Sequence, residues 1–225
     1  MSPGSDSGPT RRYADIVRAA QEVFLSEGFA ATSIDSIVTR ASVSKQSIYR
    51  VFGDKRGLFV AVISARVDEA GDAVAEHVSR LQVSGDLVGD LLALGRAQLR
   101  LVLTPELMRL RRTVIAEAER FPDLAATFFE RGAERTIDVL KDLFTRWSTT
   151  GEVAIDDPAL AATRFNWLLM ADPVNRAMFT GLDHSPDEVQ IDRWAAQAVE
   201  AFLAIYPLQS GVAQQPGASS ESANG

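Results

Sequence analysis

The stretch ATSIDSIVTRASVSKQSIYRVFGDKRGLF, residues 31–59, leaves this chain little freedom. Thr32 reads as the cap of a short helix, with the Asp35 carboxylate reaching back in a capping-box arrangement. Ile34, Ile37, Val38 and Ala41 then recur at helical spacing and give that helix one apolar stripe. Ala41-Ser42-Val43 is a tight turn, and Ser44 caps a second helix to about Phe52, whose Ile48 and Phe52 face inward. Two short helices joined by so brief a turn can bury their stripes only by crossing steeply, as in a helix-turn-helix.

The side chains left outside are Lys45, Gln46, Ser47, Tyr49 and Arg50. They are donors and acceptors rather than the Glu/Lys filler of an ordinary solvated face. Lys45, Gln46 and Arg50 suit base edges, while the hydroxyls of Thr32, Ser44, Ser47 and Tyr49 suit phosphate oxygens. Gly53 ends the helix and Asp54 caps the next, which puts Lys55 and Arg56 in a first turn whose free amides can also meet a phosphate. The bland alternative is a helix pair that packs and binds nothing.

At these residues the string resembles the DNA-binding domain of the TetR/AcrR family of bacterial repressors. Thr32, Ile37, Ala41, Val43, Ser44, Lys45, Ile48, Tyr49, Phe52 and Lys55 match that family's pattern in order and spacing. The preceding helix agrees through its Ile16, Ala19, Ala20, Val23 and Phe24 stripe and its Glu27-Gly28-Phe29 ending. Three positions depart from the pattern. Ser42 replaces the turn glycine, at a cost of up to about 1–2 kcal/mol if its φ is positive. Val38 replaces a small alanine, and Val51 stands where a phosphate-touching histidine or tyrosine is usual.

The formal net charge of −7 is at odds with DNA binding until it is divided along the chain. Residues 11–57 hold eight Lys/Arg and five Asp/Glu, a net +3, so the remainder carries −10. Only the N-terminal unit has the sign DNA attracts, and so few positive charges favour two units on one duplex. There is no cysteine, hence neither a disulfide nor a thiolate metal site. No apolar run approaches eighteen residues, and residues 1–10 lack a signal-peptide core, so no membrane partner and a cytoplasmic location are expected.

Beyond Phe52 the pattern is helical almost throughout, giving an all-α chain of about nine helices. A helix from Asp54 fades near Leu81; the next starts at Ser84 or Asp86 and runs to Leu103. Thr104 caps another through Pro105. After Phe121-Pro122 a long helix reaches about Trp147, with Gly132 as its weak point. Asp156/Asp157-Pro158 opens a helix kinked or interrupted at Pro173, and Ser185-Pro186 opens the last, which Pro207 stops. Glu152 to Ile155 is β-like but reads as a connection. The expected organisation is an unstructured arm at 1–9, a DNA-binding unit at 10–55, a regulatory and dimerisation unit at 56–208, and an unstructured tail at 209–225.

The block at residues 103–132, with IDDPALAATRF beyond it, resembles the regulatory domain of AefR-like members of the same family. The resemblance implies a homodimer formed by the last two long helices, about 157–179 and 187–206. Ala161, Ala162, Phe165, Leu169, Trp194, Ala198, Phe202 and Tyr206 are its expected interface residues; Ala195 is a further small residue of that stripe. It also implies a small apolar or amphipathic effector, held by Met108, Arg112, Phe128, Phe129, Trp147, Phe165, Trp167 and Met170. These side chains equally suit a filled core, and Arg112 an ion pair with Glu117.

Two other readings remain open at this point. One is a constitutive or partner-regulated DNA-binding factor whose body only dimerises. The other is a helical-bundle enzyme, for which the chain offers little: neither His77 nor His184 sits in a Glu-x-x-His pair, and there is no phosphate loop or nucleophile elbow. No cofactor or metal is expected. On these grounds the chain reads as a sequence-specific binder of double-stranded operator DNA, released by a ligand.

Overall fold

Apolar residues of the first helix recur at Ile16, Val17, Ala20, Val23 and Phe24, and all are buried. They form the floor on which the N-terminal unit is built. The computed structural model describes residues 9–80, 86–151, 153–181 and 185–209. Its elements are α1 (Pro9–Ala31), α2 (Ile34–Ala41), α3 (Lys45–Phe52), α4 (Lys55–Arg80), α5 (Leu87–Val102), α6 (Pro105–Ala116), α7 (Pro122–Phe129), a π-helical turn (Glu130–Glu134), α8 (Arg135–Thr150), α9 (Pro158–Thr180) and α10 (Glu188–Ile205). α7, the wide turn and α8 run on as one rod, so the described residues make nine helical rods and the fold is all-α. The π turn includes Gly132, the expected weak point.

Caps set most of these boundaries. Ser44 Oγ accepts from the Ser47 amide at 3.1 Å, Asp54 Oδ1 from Gly57 at 2.7 Å, and Thr104 Oγ1 from Leu107 at 3.2 Å. Asp86 and Asp157 cap α5 and α9 in the same way, each at 3.0 Å. Two starts differ from expectation. Ser33, not Thr32, caps α2 by accepting from the Ser36 amide, and Asp187 rather than Ser185 caps α10. In each case the residue whose oxygen lies three places before a free amide prevails. Pro173 is buried inside α9, which continues through it. The expected interruption does not occur, because packing on both flanks holds the rod together across one missing bond. At Val153 a single antiparallel bridge to Leu208 ties the α8–α9 connection to the residues after α10. Apart from Pro9 and Gln209, the expected arm and tail fall outside the described residues, as do Ser84, His184 and the His77 side chain.

Two hydrophobic clusters result. The first joins α1, α2 and α3 to Leu58, Phe59, Val62, Ile63 and Val67 of α4, and also takes in Leu107, Leu110 and Val114 of α6 with Phe121 and Leu124. It therefore extends well past residue 55. The second gathers Val74 and Val78 of α4 with α5, α8, α9 and α10. α4 thus contributes its first half to one cluster and its second half to the other.

The turn between α2 and α3 holds Ser42 at φ 52° and ψ 43°, the left-handed conformation that glycine favours. Among the described residues it is the only non-glycine with positive φ. Ser42→Gly should raise unfolding stability by up to about 1 kcal/mol, the left-handed penalty less glycine's greater unfolded-state entropy. Urea denaturation of the two proteins side by side measures the difference.

Candidate functional site

α3 lies on the first cluster through Ile48, which is wholly buried, and through half-buried Phe52, against which the Tyr13 ring packs at 5.1 Å. That contact fixes the roll of the helix. Ser44, Lys45, Gln46, Tyr49 and Arg50 are consequently exposed, and Ser47 is half-buried. The structure therefore brings six of the eight expected DNA-binding residues onto one short outward face. Lys45 Nζ donates to Asp35 Oδ2 at 3.0 Å, a hydrogen bond that raises the lysine pKa above its ordinary value. Arg40 pairs with Glu22. Gln46 and Arg50 share the outer surface with them. Long donors on an exposed helix with a fixed roll are what reading base edges in a groove requires.

The other two expected residues face inward. Thr32 is 3% exposed, and its hydroxyl donates to the Gly28 carbonyl at 2.7 Å. Lys55 Nζ donates to the carbonyls of Phe29 at 2.8 Å, Ala30 at 3.3 Å and Thr32 at 2.8 Å, and lies 4.6 Å above the Phe29 ring. Gly28, at φ 77°, turns the chain out of the α1 helix and aims those carbonyls at the lysine. Both side chains thus secure the corner between α1 and α2, and in this geometry neither presents a donor outward. A lysine directly after a Gly-Asp helix junction, with a second helix-ending glycine upstream, is the sequence signal for such a clamp.

A cavity of about 230 Å³ opens between the two hydrophobic clusters. Val67, Leu107 and Val114 of the first cluster and Val74 and Met170 of the second all line it. Of the expected lining residues, Phe128, Phe129, Trp167 and Met170 are there. Met108, Trp147 and Phe165 are not: they lie in the second core, where Phe144 meets Trp147 at 5.3 Å and Phe165 at 5.8 Å. Arg112 is also elsewhere, donating to the Ala177 carbonyl at 2.9 Å rather than pairing with Glu117. Its neighbour Arg111, about 100° around the helix, lines the cavity instead. Two buried amides line it as well, with Gln98 Nε2 donating to Asn166 Oδ1 at 2.8 Å.

A family model described as "Bacterial regulatory proteins, tetR family" matches residues 16–62, and one described as "AefR-like transcriptional repressor, C-terminal domain" matches residues 89–207. The chain belongs to the TetR family of transcriptional regulators. A TetR-family regulator of known structure from Mesorhizobium loti is 34% identical, with a TM-score of 0.83 over 88% of this chain and 97% of that one. The Flavonoid-responsive Regulator FrrA is 28% identical, with a TM-score of 0.70 over 88% of this chain and 97% of its own. The HTH-type transcriptional regulator YezE of Bacillus subtilis is 24% identical over 65% of this chain and 75% of its own length. As a TetR-family protein the chain is a DNA-binding transcriptional regulator and not an enzyme. Among the described residues, no helix is long and apolar enough to cross a membrane.

The residues expected to form a dimer interface on the last two helices lie mostly in the core of the single chain. Ala161, Ala162, Phe165, Leu169, Ala198, Phe202 and Tyr206 are all buried within the single chain, and Trp194 is half-buried against the same core. They pack α9 and α10 onto each other and onto α5 and α8, and only Trp194 keeps part of its surface open. The large apolar residues were claimed by the monomer's own core first. What α9 leaves outward is a stripe through Leu160, Leu168, Ala171 and Phe179; α10 leaves Val189, Ala196 and Ala204. Phe179 is 88% exposed.

Lys55→Met should lower unfolding stability by about 1–3 kcal/mol, because three carbonyls lose a charged donor. Arg50→Ala should leave stability within about 0.5 kcal/mol of the parent. Thermal denaturation in the absence of DNA distinguishes the two. Equal melting temperatures for Lys55→Met and the parent would mean that the clamp is dispensable.

Proposed function

We propose that this regulator is a homodimeric repressor that leaves its operator when a small apolar or amphipathic ligand fills the cavity. The observation that carries this reading is the span of α4. Its first turn is fastened to the reading unit through Lys55, while Val67, Ala70, Gly71 and Val74 further along it line the cavity. A ligand entering there presses on both clusters at once and rotates α4, changing the separation of the two reading helices of a dimer. Half-site spacing on B-DNA is set by the helical repeat, so an altered separation weakens binding. A coupling of about 1–3 kcal/mol corresponds to a roughly 5- to 150-fold shift in operator affinity.

In this reading Lys45, Gln46 and Arg50 contact base edges. Ser44, Ser47 and Tyr49 hold phosphates, and Thr32 and Lys55 keep the unit in shape. Repression is supported by the AefR-like repressor description of the C-terminal match, and ligand response by the name of the flavonoid-responsive relative. The dimer forms through the outward stripes of α9 and α10, with Phe179 as their largest exposed apolar side chain.

A salt-resolved titration against DNA upstream of the protein's own gene and its neighbours tests the whole. Selective binding that weakens with salt is expected, with Gln46→Ala relaxing preference at particular base pairs and Tyr49→Phe weakening all sequences alike. Lost selectivity in the parent would remove the operator-binding reading. Leu168→Asp combined with Phe179→Asp should yield folded monomers in sedimentation. A dimer that survives both changes would place the interface elsewhere.

A further inference from the structure

Arg111 is a charged group that an apolar cavity of this kind does not explain. It stands on the cavity wall, half-buried, and its Nε has neither solvent nor a hydrogen-bond partner. Among the described residues no carboxylate pairs with it; the Phe128 ring centroid lies 5.8 Å from the guanidinium carbon. Burial accordingly pulls its pKa down, with no opposing charge to restore it. An arginine nevertheless stays protonated in a protein. A half-buried cation without a counter-charge, one of its N–H groups already shut off from water, is a standing cost to the folded chain, and an anion placed against it offsets that cost. Its neighbours on α6 show the contrast: Arg112 is satisfied by a backbone carbonyl and Arg109 is exposed.

A second unmet group lines the same cavity. Gln98 is 2% exposed, and its Nε2 is committed to Asn166, which leaves Oε1 buried without a donor. An acceptor in this position calls for a hydroxyl or N–H on the occupant. The remaining wall is apolar and aromatic. Phe128, Phe129 and Trp167 contribute rings, and the last two lie nearly parallel, 13° apart in plane with centroids at 6.4 Å. The volume of about 230 Å³ exceeds the roughly 150 Å³ that admits benzene in an engineered cavity, which leaves room for a fused two-ring body.

We infer that the ligand is a planar aromatic carboxylate bearing a hydroxyl group. Its carboxylate pairs with Arg111, its hydroxyl donates to Gln98 Oε1, and its rings lie against Phe128, Phe129 and Trp167. This rests on the ligand-released reading above and narrows it to one charge class. Arg111 selects anions over neutral compounds of equal shape, because a neutral body would seal the guanidinium away from water with nothing to offset it.

The test compares 6-hydroxy-2-naphthoate, 2-naphthoate and 2-naphthol by calorimetric titration into the full-length protein without DNA, with operator release measured in parallel. Wild type should bind 6-hydroxy-2-naphthoate at least roughly tenfold more tightly than 2-naphthol. That ratio should fall to near one in Arg111→Met. The smaller advantage over 2-naphthoate should vanish in Gln98→Met. Equal binding of naphthol and hydroxynaphthoate by wild type would overturn the proposal without recourse to any variant, as would Arg111→Met keeping the preference or a failure of all three compounds to bind. The two readings separate cleanly. Arg111-dependent binding that leaves operator affinity unchanged upholds the anion site and removes ligand release; operator release by naphthol alone does the reverse.

Discussion

The three carbonyl oxygens that converge on Lys55 Nζ tie the first turn of α4 to the corner where α1 gives way to α2. Around that point Phe24, Phe29, Phe59 and Phe121 meet with ring centroids 4.7–5.9 Å apart, and Arg120 lies over two of them. Glycine 28 makes this possible by leaving the helix at positive φ, so the last carbonyls point sideways instead of along the axis. A charged donor among carbonyls, capped by aromatic faces, is stronger than an ordinary hydrogen bond and tolerates little displacement. The reading helices and the long helix therefore move together. Without that fastening, α4 would be a hinge between the two clusters.

At its other end α4 belongs to a different core. Val74 and Val78 pack with α5 and α8, and Asp68 and Asp72 between the two halves pair with Arg131 and Arg135 beside the π turn. A helix shared in this way cannot adjust to one cluster without disturbing the other, since packed interiors shift between discrete arrangements rather than deform smoothly. The cavity lies along this seam, which is the place where a small occupant has the greatest leverage over the relative position of two rigid bodies.

The outward face of α3 was legible in the sequence because a short amphipathic helix between two strong caps has only one way to sit: Ile48 and Phe52 go in, and Gln46 and Arg50 must come out. Thr32 and Lys55 were harder. Both are polar residues at helix ends, where a shift of one position decides between facing solvent and facing a carbonyl, and that depended on how α1 ends at Gly28. On α9 and α10 the periodicity was readable, but the residues it marked fill the core of the single chain. Phe165, Leu169 and Phe202 form the strongest stripe because they fill the core, and the outward side of the two helices is the weaker pattern that remains. The same holds for Arg111 and Arg112, adjacent and chemically identical. Their opposite fates follow from which side of α6 meets α9, and composition carries no trace of that.

The wide turn at Glu130–Glu134 has a consequence for how such a chain can diversify. A π turn accommodates one residue more than the α-helix around it while the flanking helices keep their faces. Losing a single codon there would convert the turn to plain α-helix, and α7 and α8 could retain the packing on either side. Gly132 and Ala133, which line the cavity, would be the residues displaced. The rod thus carries a point of cheap variation beside the cavity, where the shape of that space can change across generations while the DNA-binding unit is inherited intact.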